Sequence, residues 1–207
     1  MKKLLLWLSC VAVLLTFSVG AAAGTTVLGP SGLIKVPTAD ALTAGELSLA
    51  YHLENGKGIG SLTYGLTNNI EAGVYTGRRD AYLGFHAKAV LTEEDNSLPG
   101  VAVGLANESF YVVASKRLPR AGLRGHVGVG TNTYDGLFLG VSKMLNPVTV
   151  ESGVKNTGMP ATLLAVEYLK GGFNLGAEVI LTPEVRIKVA AEDLKNVILG
   201  VSFKVSI

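Results

Sequence analysis

The chain has 207 residues, of which 48% are hydrophobic, and a formal net charge of +2 at pH 7. Its charged residues are scattered singly, so no basic block or stripe indicates a nucleic-acid partner. Glycine is abundant, with 26 residues, whereas proline contributes only 7. This composition is typical of sharply bent or closely spaced strands and excludes a disordered proline-rich linker.

The amino terminus has the three-part pattern of a secretory signal peptide. Two lysines follow the first methionine, residues 4–19 are continuously apolar, and alanines occupy 21–23. We therefore predict that residues 1–23 form a signal peptide that is cleaved on export. A single membrane anchor is the less favoured interpretation because the apolar run is short. Cys10 lies in this run, so the mature chain is predicted to contain no disulfide.

Residues 24–45 (GTTVLGPSGLIKVPTADALTAG) show little alternation between apolar and polar positions. We interpret them as an extended lead-in with one short strand at 33–36. Pro37 and Thr38 are a candidate plug or strand cap, without an assigned chemical role. No run after residue 23 is apolar for long enough to predict a transmembrane helix.

From residue 46 onward, apolar and polar residues alternate in runs of about ten separated by turn signals. A period of two indicates strands with one apolar face, because successive side chains on a strand point to opposite sides. Asn55-Gly56 is a strong signal for a tight hairpin. The last run shows the alternation most clearly, with an apolar parity formed by Val197, Leu199, Val201, Phe203, Val205 and Ile207.

Consecutive hairpins predict an all-β, antiparallel up-and-down meander for residues 46–207. An open sheet of this many strands would leave two edges without partners, so we predict closure into a β-barrel. Antiparallel closure needs an even number of strands. We count twelve, with 147–160 as a loop; fourteen is the alternative if the weak run at 148–154 and the lead-in each add a strand. With twelve strands, the strand at 197–207 closes the barrel on the first strand, near 47–53.

The pattern alone fits a soluble barrel with an apolar interior or a transmembrane barrel with an apolar outer face. Charges and glycines recur on the second face, which suits the interior of a membrane barrel in contact with a lipid bilayer. Exposed aromatics at strand ends are typical of the girdles of such barrels; the candidates are Tyr51, Phe85, Phe110, Phe173 and Phe203. The predicted polar cluster in the lumen comprises His52, His86, Lys88, His126, Glu178, Arg186, Lys188 and Lys204.

The histidines at 52, 86 and 126 are the candidates for chemistry. Together with Glu54, Glu71 or Glu178 they could bind a metal or assist an acyl hydrolase. However, no two of them have the spacing of metal ligands, and no serine lies in a nucleophile motif. We therefore expect hydrogen-bonded interior groups, and we predict no catalytic, metal-binding or cofactor-binding residue.

Three segments resemble the YjbH-like outer-membrane β-barrel family, which is associated with exopolysaccharide production. They are 32–40 (GLIKVPTAD) followed by 45–47 (GEL), then 64–74 (YGLTNNIEAGV) and 167–187 (EYLKGGFNLGAEVILTPEVRI). In that family a Gly-Leu element ending in Pro-Thr-Ala precedes the first barrel strands. Its better-known members are longer, so the resemblance implies a short, single-barrel version.

The resemblance implies a non-enzymatic protein of the outer membrane that supports exopolysaccharide export or envelope assembly. Its expected partners are the lipid bilayer, the outer-membrane assembly machinery and polysaccharide-export components. The chain ends in Ile207, with Phe203 as the nearest aromatic, whereas outer-membrane barrels usually end in an aromatic residue. The alternatives are a barrel enzyme that acts on lipids and a soluble lipid-binding barrel. Arg78 and Arg79, at a hairpin tip, are expected in a solvated turn, with contact to phosphate or sugar-acid groups as the alternative.

Overall fold

A computed structural model describes residues 24–76, 83–118, 122–146 and 160–207. Three predicted features lie outside these described residues: the signal peptide, the hairpin tip with Arg78 and Arg79, and residues 147–159 of the loop predicted at 147–160. The described residues form twelve strands: β1 (Glu46–Glu54), β2 (Lys57–Thr67), β3 (Ile70–Thr76), β4 (Leu83–Thr92), β5 (Gly100–Ala106), β6 (Ser109–Leu118), β7 (Leu123–Gly130), β8 (Gly136–Leu145), β9 (Ala161–Leu169), β10 (Gly172–Ile180), β11 (Val185–Glu192) and β12 (Asn196–Ser206).

The twelve strands close into a single barrel. Each strand pairs antiparallel with its neighbours in sequence, and β12 pairs with β1 from Glu46↔Ser206 to Glu54↔Ile198. Closure gives every strand two partners and leaves no edge. The prediction of an antiparallel up-and-down barrel with twelve strands, closed by the last strand on the first, is confirmed.

The barrel has two distinct ends. The terminal end holds Gly45 and Ile207, and the amide of Ile207 donates to the carbonyl of Gly45 over 2.9 Å. The distal end carries tight turns, among them Asn55-Gly56, with φ of 52° and 73°. These left-handed values are those of the type I′ turn that the Asn-Gly pair favours, so the predicted hairpin is present.

The outer face is apolar and the inner face is polar. On β12, Val201 and Phe203 are 48% and 46% exposed, whereas Ser202 and Lys204 between and beside them are buried. The predicted girdle aromatics are exposed as well: Tyr51, Phe85, Phe110, Phe173 and Phe203. An apolar exterior around a polar interior is the arrangement of a membrane barrel and the inverse of a soluble one. The described residues contain no helix that is long and apolar enough to span a membrane.

Residues 24–45, here called the plug, lie inside the barrel and are mostly buried, whereas Thr43 and Ala44 are exposed. The prediction of a short strand at 33–36 is wrong, because these residues form bends. The chain folds back on itself through isolated bridges, Thr25↔Ser31 and Gly32↔Pro37. Backbone hydrogen bonds between residues close in sequence stabilise these turns. For example, the amide of Leu33 donates to the carbonyl of Val36 over 3.0 Å. A continuous strand would not fit a segment that must turn around within the lumen.

The assignment of the outer face to lipid predicts a depth-dependent effect of charge. We expect Val201→Lys, at the middle of β12, to lower the free energy of unfolding by about 2–4 kcal/mol, because it places a cation in hydrocarbon. Leu53→Lys, near the distal end of β1, is the matched control and should cost only about 0–1 kcal/mol. Chemical unfolding in lipid vesicles measures both variants, and equal losses would contradict the assignment.

Candidate functional site: the plugged lumen

The plug enters and leaves the lumen at the terminal end. Its first residue, Gly24, lies against the carboxylate of Glu178, near the terminal end of β10. Its tip at Lys35 reaches Glu54 and Glu192, at the distal ends of β1 and β11. The plug therefore spans the length of the barrel and returns, which places its polar backbone beside side chains of the inner wall.

Glu71 on β3 is the first main anchor of the plug. Its carboxylate accepts hydrogen bonds from the amide of Ser31 at 2.8 Å, from the hydroxyl of Ser31 at 2.5 Å and from the amide of Leu42 at 2.9 Å. Lys88 on β4 lies 3.1 Å away and neutralises the charge. Both side chains of this ion pair are fully buried. One wall carboxylate thus holds the ascending and the descending arms of the plug.

Glu167 on β9 is the second anchor and binds the tip. Its carboxylate accepts hydrogen bonds from three consecutive amides: Ile34 at 2.7 Å, Lys35 at 3.0 Å and Val36 at 3.0 Å. Asn174 on β10 donates to the same carboxylate over 3.3 Å. Consecutive amides that converge on one anion form a backbone nest, and bonds to a charged acceptor are stronger than neutral ones. Hydrogen bonds of the backbone therefore anchor the tip to β9.

Two lysines of the wall bind plug carbonyls in the complementary way. Lys88 donates to the carbonyl of Ser31 over 2.7 Å. Lys188 on β11 donates to the carbonyls of Thr25, at 2.5 Å, and Leu33. Carboxylates of the wall thus satisfy plug donors while ammonium groups satisfy plug acceptors, as buried backbone requires.

Near each end of the barrel, an ion cluster binds the plug. At the distal end, Lys35 pairs with Glu54 at 2.7 Å and with Glu192. At the terminal end, Arg124 on β7 makes a two-pronged contact to Asp40, at 2.6 and 2.8 Å, and bonds Glu94 at 2.9 Å. Paired guanidinium and carboxylate groups in this geometry are among the strongest side-chain contacts.

Asp40 is the one carboxylic acid of the plug. Its partial burial would raise the pKa of the carboxyl, but the hydrogen bonds and positive charge of Arg124 and the hydroxyl of Thr38 outweigh this effect. The pKa of Asp40 is therefore lower than its ordinary value of 3.8. The folded state thus favours the ionised carboxylate, and the contact strengthens docking of the plug at neutral pH.

Apolar contacts complete the fit of the plug. Leu33, Ile34 and Val36 are buried, and the first two pack with wall residues such as Ile59 and Ile198. Gly176 on β10 leaves the space that Ile34 fills, because a Cβ there would lie 2.9 Å from its Cδ1. In the plug itself, a Cβ on Gly32 would collide with the carbonyl oxygen of Val36. Part of the glycine on the inner face therefore makes room for the plug, in addition to the long charged side chains expected there.

The three histidines lie inside the barrel but at separate positions. The hydroxyl of Ser115 bonds Nδ1 of His126 at 2.8 Å, and Ser142 lies 3.3 Å from its Nε2. His86 bonds the hydroxyl of Thr63 at 3.1 Å. His52 is buried beside Gly200. Within the described residues, no group of three or more His, Cys, Asp or Glu side chains could hold a metal ion.

All eight residues of the predicted lumenal cluster face the interior and are buried. They form several groups around the plug. Glu178 pairs with Arg186 and Lys188, each at 3.1 Å. Lys204 lies 3.7 Å from Glu46. Lys88 joins Glu71, and the histidines stand apart.

Five site residues were not predicted from the sequence: Glu167, Asn174, Arg124, Asp40 and Lys35. The polar parity of β7, β9 and β10 could have indicated three of them, since it points into the lumen. The two plug residues carry no periodic signal. That part of the chain was singled out by the resemblance of 32–40 to a family element and by Pro37 and Thr38 as a candidate plug or strand cap.

The closed ring, the apolar outer face and the filled polar lumen define a transmembrane β-barrel. Residues 25–160 match the family model YjbH, described as "Exopolysaccharide biosynthesis protein YbjH". The chain belongs to the YjbH family, so the resemblance noted from the sequence is confirmed. No curated protein matches the sequence.

Solved structures share the fold at low identity. The "KdgM porin in complex with disordered oligogalacturonate" is 11% identical, covers 78% of this chain and 99% of its own, and has a TM-score of 0.50. The structure titled "KdgM porin" is 12% identical over 76% of this chain and 98% of its own, with a TM-score of 0.48. The outer membrane protein Omp33 of Acinetobacter baumannii is 10% identical over 78% and 97%, with a TM-score of 0.46. The first of these likenesses supports the fold of an outer-membrane barrel.

The buried ion pair of Glu71 and Lys88 predicts that a single substitution strongly lowers the stability of the barrel. We expect Glu71→Gln to lower the free energy of unfolding by about 3–5 kcal/mol, because it leaves Lys88 buried without its counter-charge. Chemical unfolding in lipid vesicles measures the loss. Glu108→Gln, in an exposed turn, is the matched control and should change stability by about 0.5 kcal/mol or less. The double variant Glu71→Gln/Lys88→Met should lose less than Glu71→Gln alone; a greater loss would contradict the charge argument.

The Asp40 contact predicts a pH dependence of plug docking. Because the pKa of Asp40 is lowered in the folded state, its stabilisation is complete above 3.8 and is lost as the pH falls through the lowered value. Protection of the plug from protease should therefore decline at acid pH more in the wild type than in Asp40→Asn. Arg124→Gln should reduce this difference in the same way, since Arg124 causes the shift. Equal acid sensitivity in all three proteins would exclude Asp40 as the origin.

Proposed function

We propose that the chain is a non-enzymatic barrel of the outer membrane that supports exopolysaccharide export with its lumen closed by the plug. The membership in a family described by exopolysaccharide biosynthesis supports the process. The observation that carries the proposal is the plug itself, bound by Glu71 and Glu167 along its length. In this role the barrel acts as a component of the export assembly, while the polymer passes elsewhere.

The proposal includes the route to the membrane. Residues 1–23 are the cleaved signal peptide, and the outer-membrane assembly machinery inserts residues 46–207 as the barrel. With an even number of strands, both chain termini lie on one side, which is the periplasmic side in this proposal. The distal end then faces the cell exterior, and the export components contact the periplasmic side.

The alternative of a lipid-acting enzyme would need a serine beside a histidine, as Ser115 lies beside His126. The contacts of this pair give that alternative less support. The hydroxyl of Ser115 accepts a hydrogen bond from the amide of Ala39, in the plug, over 2.9 Å, and it also forms a hydrogen bond with His126. Both side chains are buried in the lumen, on the opposite face of the sheet from the exposed apolar band. A hydroxyl that already binds plug backbone favours a structural role for this pair.

The proposal predicts that the lumen of the barrel is closed to ions. Purified protein in planar bilayers should show little conductance, because the plug occupies the lumen. The double variant Glu71→Gln/Glu167→Gln should show brief open events, because it weakens the anchors of both plug arms and of the tip. A large steady conductance of the wild type would contradict the closed lumen.

The same proposal is tested in cells. A strain that lacks the gene should secrete less exopolysaccharide, and the wild-type chain should restore secretion. The double variant Lys57→Gln/Lys195→Gln, in two exposed turn regions, is the matched control and should restore secretion fully. Normal secretion in the strain without the gene would overturn the role in export.

A further inference from the structure

A cleft of about 530 Å³ opens at the distal end of the barrel. It lies between the start of β4, the turn joining β5 to β6, and the short 3-10 turn Asn132–Tyr134 that follows β7. Its volume falls within the range of about 300–1,000 Å³ that is typical of small-ligand sites. The cleft is separate from the plug anchors, since neither Glu71 nor Glu167 lines it.

The rim of the cleft is held rigidly by side chains. The amide of Phe85 donates to Oδ1 of Asn107 over 2.8 Å, which ties β4 to the β5–β6 turn. Nδ2 of Asn132 donates to the carbonyl of Glu108 over 2.6 Å, and the amide of Thr133 donates to the buried hydroxyl of Ser109 over 3.1 Å. The start of β4 and two neighbouring turns thus form one preorganised rim, so a ligand would meet little ordering cost.

The chemistry of the lining combines aromatic rings with uncharged polar groups. Tyr75 forms part of the floor. Phe85, one of the girdle aromatics, is 57% exposed at the distal mouth, and such girdles lie at the boundary between membrane and water. Asn107, Asn132 and Thr133 place amide and hydroxyl groups around these rings. An aromatic face with a negative quadrupole attracts the C–H face of a sugar ring, while amides and hydroxyls match its hydroxyl groups.

Charge narrows the class of sugar. Glu108 is the only charged residue among the described residues that line the cleft. A carboxylate repels uronic acids and other acidic saccharides, and it attracts amino sugars. The cleft therefore discriminates against acidic polymers.

We propose that this cleft binds a neutral or amino-sugar segment of a polysaccharide at the distal mouth of the barrel. The biological setting rests on the proposed function in exopolysaccharide export, and the cleft defines the class of polymer. Phe85 stacks on the sugar ring, the rim amides and hydroxyls bond its hydroxyl groups, and Glu108 sets the charge preference.

Binding of short oligosaccharides to the purified barrel in detergent tests the cleft. The probes are a neutral glucan, a glucosamine oligomer and a galacturonate oligomer, with affinity measured by calorimetry. The first two should bind at least about tenfold more tightly than the acidic oligomer. Phe85→Ala should weaken binding by about five- to tenfold. Phe173→Ala is the matched control, because Phe173 is 55% exposed at the start of β10 and lies outside the cleft; it should leave the affinity unchanged.

Glu108→Gln should reduce the preference against the galacturonate oligomer by several-fold while glucan binding is retained. Binding of none of the probes, or equal effects of Phe85→Ala and Phe173→Ala, would overturn the cleft. This assay is independent of secretion in cells. Lost secretion in the strain without the gene, together with no saccharide binding, would overturn the cleft and leave the proposed function in place. Normal secretion in that strain, together with Phe85-dependent binding, would overturn the proposed function and leave the cleft in place.

Discussion

The pairing of charge in a closed, narrow interior is the constraint on which the rest of the structure depends. Twelve strands with an apolar exterior turn their polar parity inward, where water is scarce and an isolated charge would be very costly. The barrel resolves this by matching wall carboxylates to backbone amides of residues 24–45 and wall ammonium groups to their carbonyls. Glu71 with Lys88 is the clearest case, since both side chains are fully buried and both bind Ser31. Wall and plug are therefore one hydrogen-bonded unit.

The family element GLIKVPTAD has a physical explanation in this unit. Gly32 permits a close approach of backbone that a side chain would block. The next residues place three amides on Glu167 and a cation, Lys35, between two carboxylates. The element ends with Asp40 on Arg124. The element thus encodes docking inside a barrel, and its residues touch the wall through both backbone and side chains.

The strands could be predicted from the sequence, whereas the plug was only one of two alternatives for Pro37 and Thr38, and its contacts could not be predicted. A period of two is a local signal, and it is strong in β12, where five apolar residues share one parity. The Asn55-Gly56 turn is local as well, because its backbone angles follow from its two residues. The inward direction of Lys88, Glu178 and Lys188 followed from the same parity. Parity specifies a face, however, and leaves open which inward residues meet.

The partners inside the lumen depend on contacts that are distant in sequence. Ile34 and Glu167 are 133 positions apart, and Thr25 and Lys188 are 163 apart. Residues 33–36 have the β-branched content of a strand, which led to the wrong prediction there. Their bends come from amides that turn toward a carboxylate on β9. The histidines likewise found separate partners, such as Thr63 and Ser115, that spacing along the chain does not reveal.

The position of the plug ahead of β1 has a consequence for the order of folding. The plug is synthesised before every strand, yet its tip is bound by β9 and its first arm by β11. Contacts of such long range form late, because the intervening chain must first be ordered. The tip amides of Ile34, Lys35 and Val36 therefore stay without their wall acceptor, Glu167, until the second half of the barrel is present. Docking then links strands from both halves around one central segment, so a lodged plug marks a molecule whose assembly has been completed.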